Sequence, residues 1–470
     1  MQAPHDRKAL RRVLVATSLG FVVVQLDVTI VNLALPRIAQ DLRTGVAGLQ
    51  WVVDAYTLSF AVLLLSAGVL GDGFGARRMY VLGFMTFGFA SLGCGLAPST
   101  PVLIGSRTLQ GVGAALLLPS SLSLLNHASH HEDRLRARAV AVWTAAGGVS
   151  IAAGPVIGGL LLASLGWRSI FLVNLPLCAM AIWLTFRAVP EPPRAEHPPA
   201  LDPAGQLLAV LALAGVTGAI IEIRPLGIVH PLVLSGLALA AVAGPALVAV
   251  EARKRDPMLP IDLFRRPSFG AAVLFGVLVN LTYYGVIFVL SLYLQRALGY
   301  SAPAAGLAFL PLTATFIVSN ITSGWMTGRM GSRAPMIGGA LVGALGFTLL
   351  CFLGAESRYL SMLPAFLLIP LGMGLAVPAM TTSILASTER ARAGTASAVL
   401  NAARQAGGAV GVALFGGLAP GDLVTGLRAS GLLSAGLLGV AAALAGFGLR
   451  ARAVRPAPPS TRRSDARWSS

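Results

Sequence analysis

Charge is what this sequence has least of. Of its 470 residues, 11% are charged, where a soluble globular domain carries about 25%, and an ordinary soluble enzyme is thereby excluded. Cysteine is scarce too: Cys94, Cys178 and Cys351 each fall inside an apolar stretch, with no CxxC spacing. They read as small buried hydrophobes, which excludes a disulfide framework and a thiolate metal site. Lysine is nearly missing, Lys8 and Lys254 standing beside 33 arginines. No Walker-type phosphate loop follows a strand pattern, so direct ATP hydrolysis is unsupported.

Apolar residues, by contrast, make up 56% of the chain, and glycine contributes 54 positions. Such a balance excludes a disordered chain and points to an all-α membrane protein that crosses the bilayer repeatedly. A spanning helix needs about 20 mostly apolar residues. Fourteen runs qualify: 13–36, 49–70, 80–97, 102–125, 138–163 and 169–188, then 204–222 and 231–250, then 269–294, 304–326, 335–354, 361–386, 394–418 and 429–449. The first run is longer than a signal-peptide core and carries Asp27 and Asn32, so it reads as a span and not as a cleaved leader.

The net charge of +17 raises the question of nucleic acid. The basic residues form no groove-sized patch, however; they sit in short runs between the apolar stretches, as orientation in a membrane requires. With the N-terminus inside, 26 of them face the cytosol and seven the exterior, namely Arg37, Arg43, Arg168, Arg224, Arg296, Arg358 and Arg428, while Arg107 and Arg404 lie within spans. The positive-inside rule therefore puts both termini in the cytosol of a cell-membrane protein. The lipid bilayer is the expected partner, nucleic acid is not, and a monomer suffices.

The chain divides accordingly. A cytosolic tail (1–12) precedes a six-helix bundle (13–188). A proline-rich linker (189–203) leads to two inserted spans (204–250), and a second linker (251–268) leads to another six-helix bundle (269–449). A disordered tail (450–470) follows. Six prolines between Pro190 and Pro203 keep the first linker from being helical. The bundles repeat one another: Gly68-Val-Leu-Gly-Asp-Gly-Phe-Gly-Ala-Arg-Arg is echoed by Gly324-Trp-Met-Thr-Gly-Arg-Met-Gly-Ser-Arg, Arg136-Ala-Arg-Ala by Arg390-Ala-Arg-Ala, and Gly111-Val-Gly by Gly372-Met-Gly. Three echoes in one order at nearly one offset indicate parallel halves, a transporter architecture.

With these motifs the sequence resembles the major facilitator superfamily, and within it the fourteen-span drug:proton antiporter branch. Asp72-Gly-Phe-Gly-Ala-Arg-Arg is similar to the family's loop motif, Leu103-Ile-Gly-Ser-Arg-Thr-Leu-Gln-Gly-Val-Gly to its fourth-span motif with an embedded arginine, and Gly154-Pro155 with Gly158-Gly159 to the fifth-span motif of exporters. Leu26-Asp-Val-Thr-Ile-Val-Asn-Leu-Ala-Leu-Pro and Trp167-Arg-Ser-Ile-Phe-Leu-Val-Asn-Leu-Pro resemble signatures of the fourteen-span branch. The resemblance implies two six-helix bundles with two inserted helices. It also implies gating roles for Gly68, Asp72, Gly75, Arg77, Arg78, Gly111, Gly113, Gly154, Pro155, Gly158 and Gly159. One departure stands in the loop motif: Gly73 replaces the usual basic residue, and the second copy has Arg329 there but Gly328 in place of the aspartate.

Ionisable groups inside spans cost about 2.5–3.5 kcal/mol each on insertion scales and are functional candidates for that reason. Asp27, Asp54 and Glu222 are the acidic ones, and Arg107 is the basic group that could pair with an aspartate. Asp27 falls roughly 12 Å below the outer end of its span, Asp54 and Arg107 roughly 7–8 Å. These four are the proton-coupling candidates, with Glu222 also placed to pair with Arg224. Asn32, Tyr56, Gln110, Asn280, Asn320, Asn401, Arg404 and Gln405 are candidates for a substrate cavity. His127, His130 and His131 share one inner loop and read as solvated, so no metal is expected. The small residues of the fifth span let helices approach closely, and Pro155 weakens its backbone ladder.

The expectation is an exporter of small amphipathic molecules, with no cofactor, driven by the proton gradient. An importer or lipid flippase of the same fold, and a non-transporting membrane sensor, are the rival readings.

Overall fold

The computed structural model describes residues 4–129, 133–192, 201–254, 257–389, 392–419 and 421–449. Among the described residues all regular structure is helical. In chain order the helices are α1 (Pro4–Asp41), α2 (Val46–Phe74), α3 (Ala76–Leu96), α4 (Thr100–Ala128), α5 (Asp133–Leu165), α6 (Ser169–Leu172), α7 (Asn174–Ala188), α8 (Pro203–Leu226), α9 (Pro231–Glu251), α10 (Ile261–Phe264), α11 (Pro267–Leu292), α12 (Ala302–Ala308), α13 (Leu310–Met330), α14 (Arg333–Leu349), α15 (Tyr359–Ser387), α16 (Ala393–Leu418) and α17 (Leu423–Gly448). A π-helical turn, Tyr293–Ala297, prolongs α11.

Among the described residues, thirteen helical segments are long and apolar enough to cross a membrane, as a multi-pass membrane protein requires. The long helix outside that set is α16. It carries Asn401, Arg404 and Gln405, and it can afford them because it is packed between α11 and α2.

The helices fall into groups by contact. Helices α1 to α7 pack on one another, α11 to α17 do likewise, and the α8–α9 hairpin leans on α2 and α16. The repeat in the sequence has a structural counterpart. Gly75 ends α2 with φ +102°, and Gly331 ends α13 with φ +75°, left-handed geometry that favours glycine. Just beyond each turn an arginine spans to the last helix of its group. Arg77 Nη2 donates to the Phe186 carbonyl at 3.3 Å, and Arg333 Nη2 donates to that of Gly446.

The main departure from the sequence reading is the length of the first helix. Placing its end at residue 36 rests on Pro36, yet α1 continues through that proline to Asp41, and it starts at Pro4, inside the stretch read as a tail. Proline cannot donate to the carbonyl four residues back, which here is that of Asn32. Ser291 Oγ supplies the missing donor at 2.6 Å, and Gln295 Nε2 donates to the neighbouring Leu33 carbonyl at 3.0 Å. A helix from the other group thus repairs the break. In the first linker, 193–200 lie outside the described residues, as does the tail, 450–470. The second linker contains the short α10.

Candidate functional site

Because α1 runs to Asp41, Asp27 lies about 21 Å from that end of the helix at 1.5 Å per residue. There it meets Arg107 of α4, whose Nη1 approaches Asp27 Oδ2 to 2.5 Å, both side chains almost wholly buried. The pair is enclosed by further polar groups. Arg107 Nη1 also donates to Gln110 Oε1 at 2.7 Å, and its Nε to the Val52 carbonyl at 3.1 Å. Gln110 Nε2 donates to Asp27 Oδ1 at 2.9 Å and to Ser91 Oγ at 2.8 Å. Asn174 Nδ2 reaches the same carboxyl oxygen at 3.2 Å. Tyr56 covers the guanidinium, its ring centroid 4.3 Å from the Arg107 Cζ. Four helices of one group and the Tyr56 ring of α2 thereby satisfy a charge pair that would be costly if bare.

Asp54 is treated differently. It is fully buried, and among the described residues neither of its carboxyl oxygens has a hydrogen-bond partner. One turn earlier on the same face of α2, Gln50 Nε2 donates to the Val412 and Ala413 carbonyls of α16, at 3.0 and 2.6 Å, joining the two groups of helices. Trp51 Nε1 donates at 3.0 Å to Glu222 Oε1 on α8. Glu222 thus bonds to α2, while Arg224 is exposed and not its partner among the described residues.

Between the groups lies a cavity of about 20 Å³, whose walls include Asn32, Tyr56, Phe60, Tyr284, Gln405 and Gly408. That is room for about one water molecule. Of the cavity candidates, Asn32, Tyr56 and Gln405 line it, whereas Gln110 belongs to the Asp27 network. Asn280 accepts from Arg404 Nε at 3.2 Å, one turn along α11 from Tyr284. Asn320 Nδ2 donates to the Phe316 carbonyl of its own helix at 2.7 Å. Asn401 is partly buried on α16 and is not in the cavity wall.

The glycine motifs are contact surfaces. A Cβ on Gly111 would strike the Tyr56 carbonyl and Ser59 of α2, and one on Gly113 would come within 2.7 Å of the Phe87 nitrogen of α3. In α5, Gly154 sits against Thr29 and Gly158 against Ile30 of α1, while Gly159 faces Pro303 of α12. Gly306 of α12 in turn abuts the Pro155 carbonyl. Helix α5 is therefore wedged between its own group and the other. Gly68 has no neighbour that a Cβ would meet, and Asp72 and Arg78 are exposed. His130 and His131 lie outside the described residues.

Sequence reasoning passed over Gln50, Ser91, Asn174 and Trp51. Asn174 carried a signal, as a polar residue within an apolar run and inside a quoted motif; Gln50 and Ser91 carried none beyond polarity.

Compared with known proteins, the chain matches the sequence profile of the Major Facilitator Superfamily over residues 17–412. It is 38% identical to the methylenomycin A resistance protein of Streptomyces coelicolor, covering 85% of this chain and 84% of that one. It is 37% identical to the multidrug resistance protein Stp of Mycobacterium tuberculosis, over 86% and 74% of the two chains. To the tetracenomycin C resistance and export protein of Streptomyces glaucescens it is 33% identical, over 86% and 74%.

Proposed function

The chain belongs to the Major Facilitator Superfamily, and on that footing we propose that it is a proton-coupled antiporter of the fourteen-span drug-efflux type, exporting small amphipathic molecules from the cell. Its two six-helix halves, 13–188 and 269–449, rock about the central cavity, with the inserted pair 204–250 alongside and both termini in the cytosol. No cofactor is needed, since the proton gradient supplies the energy, and the monomer is the working unit.

The observation that carries this reading is the contrast between two buried carboxyls in the same half. Asp27 is held by Arg107, Gln110 and Asn174, while Asp54 has no hydrogen-bond partner among the described residues. We assign both to the proton cycle, Asp27 as the carboxyl matched by Arg107 and Asp54 as the one without a hydrogen-bond partner among the described residues. A shift of α4 relative to α1 within that half, accompanying the rocking, takes Arg107 from Asp27 and lets that carboxyl take up a proton in turn. Neighbouring charge and burial are the two levers by which a protein loads and releases protons. Pulling α2 from α16 breaks the Gln50 bonds and opens a path for water to Asp54. Glu222, bonded to Trp51 one turn from Asp54, ties the inserted pair to that movement.

Growth of a transport-deficient host on a panel of toxic compounds, including methylenomycin A and tetracenomycin C, tests the function. The protein raises the tolerated concentration of at least one compound, and an uncoupler of the proton gradient removes the protection. Protection that persists in the uncoupler contradicts proton coupling; accumulation of the compound inside the cells contradicts export.

A further inference from the structure

Arg404 is a cation with no anionic partner among the described residues. On α16 its Nε donates to Asn280 Oδ1 at 3.2 Å, and its stem packs on α11, where a Cβ on Gly276 would meet Arg404 Cγ at 3.1 Å. Among the described residues no carboxylate pairs with it, and its terminal nitrogens make no hydrogen bond with any of them. Nor does the sequence place a carboxylate in reach along these helices. Glu356 and Glu389 stand in connections, and Asp422 caps the start of α17. The contrast with Arg107, which shares its burial with Asp27, Gln110 and the Val52 carbonyl, is complete. Intramembrane arginines are ordinarily paired, so a lone one leaves a position for an anion that the protein does not supply.

Its location says which anion. Arg404 adjoins Gln405 and stands one turn from Gly408, both in the cavity wall, and its partner Asn280 stands one turn from Tyr284, also in that wall. The wall itself is uncharged and offers the rings of Tyr56, Phe60 and Tyr284. We infer that the cavity and Arg404 form one substrate site, and that the molecule carried is a small organic acid bearing an aromatic or apolar ring. The carboxylate takes the two free nitrogens of the guanidinium, whose planar fork matches it, and the ring lies against the aromatic side chains. The inference rests on the transporter reading and narrows its substrate.

The test is equilibrium binding to the purified full chain in detergent, using benzoate, 1-naphthoate and indole-3-acetate, each beside its own amide. At least one acid binds tighter than its amide by about tenfold or more, the scale of a hydrogen bond to a charged group. In Arg404→Gln that preference disappears. Asn280→Asp, which changes no volume and brings a protein carboxylate to the guanidinium, removes the preference as well and guards against a folding defect in the first variant. The inference is overturned if no acid is preferred over its amide, or if the preference survives in both variants. Binding in detergent reads neither protons nor flux. A protein that prefers acids but fails to protect cells therefore contradicts the export reading alone, and one that protects cells without this preference contradicts the inference alone.

Discussion

Ser291 Oγ donates at 2.6 Å to the carbonyl of Asn32, the one carbonyl in α1 that Pro36 strips of its intrahelical donor. A proline that would ordinarily break a helix thus becomes an acceptor site for the opposite half, on the side of the protein that carries the α1–α2 turn. A single net hydrogen bond contributes about 1 kcal/mol. Ser291→Ala should therefore shift the balance toward the state open on that side by about fivefold. The check is the labelling rate of a cysteine at Val28, a cavity-wall residue, by an impermeant thiol reagent in a background lacking Cys94, Cys178 and Cys351. An unchanged rate means that the bond does not hold the closed state.

Removing one member of the buried pair should be costly in an asymmetric way. Arg107→Ala leaves Asp27 buried without its main partner, a loss of about 3–5 kcal/mol. Asp27→Asn/Arg107→Gln removes both charges and should recover much of that loss, because neutral amides keep the contacts with Gln110 and Asn174. Thermal unfolding in detergent reads the order: Arg107→Ala lowest, the double variant between it and the native chain.

The close approach of α5 and α12 leaves no space at Gly306, which abuts the Pro155 carbonyl. Gly306→Val should insert and purify normally but hold the two helices apart, so that the closed state is lost. Transport should fall to the level of vesicles without the protein, with retention of the native elution volume. Normal transport by this variant would show that the contact is not part of the cycle.

Outside the membrane, Arg392 donates to both carboxyl oxygens of Asp262, at 2.5 and 3.0 Å, linking α10 to the start of α16. That hydrogen bonding holds the Asp262 carboxyl below its ordinary value of 3.8. The sign follows from this: the pair's stabilisation is full above that value and is lost as the pH falls through the lowered one. Both groups are substantially exposed, 38% and 52%, so the contribution is under about 1 kcal/mol. Asp262→Asn should lower the melting temperature slightly at neutral pH and make no difference in strong acid.

Much of this architecture could be read from the residues alone. Apolar runs of the right length mark where helices lie, because in a bilayer little else determines them, and glycines such as Gly75 and Gly331 mark where they stop. Asp27 and Arg107 announce themselves as charges within such runs. What could not be read is how distant helices serve one another. Pro36 signals an end, and only the position of Ser291 on another helix explains why α1 continues. Gln110 is a polar residue near a presumed cavity until the rotation of α4 turns it toward Asp27. Helix α16 falls short of a membrane span by apolarity because Asn401, Arg404 and Gln405 occupy it, and their burial depends on α2 and α11.

Substrate-induced proton movement in everted membrane vesicles, followed with a pH-sensitive dye in a sealed and energised preparation, decides whether the buried carboxyls couple transport to protons. Adding a compound against which the protein protects cells should release protons from vesicles holding the native chain. With Asp27→Asn or Asp54→Asn, at equal amounts of inserted protein, the release should vanish. An undiminished signal from both variants would contradict the role assigned to these two residues.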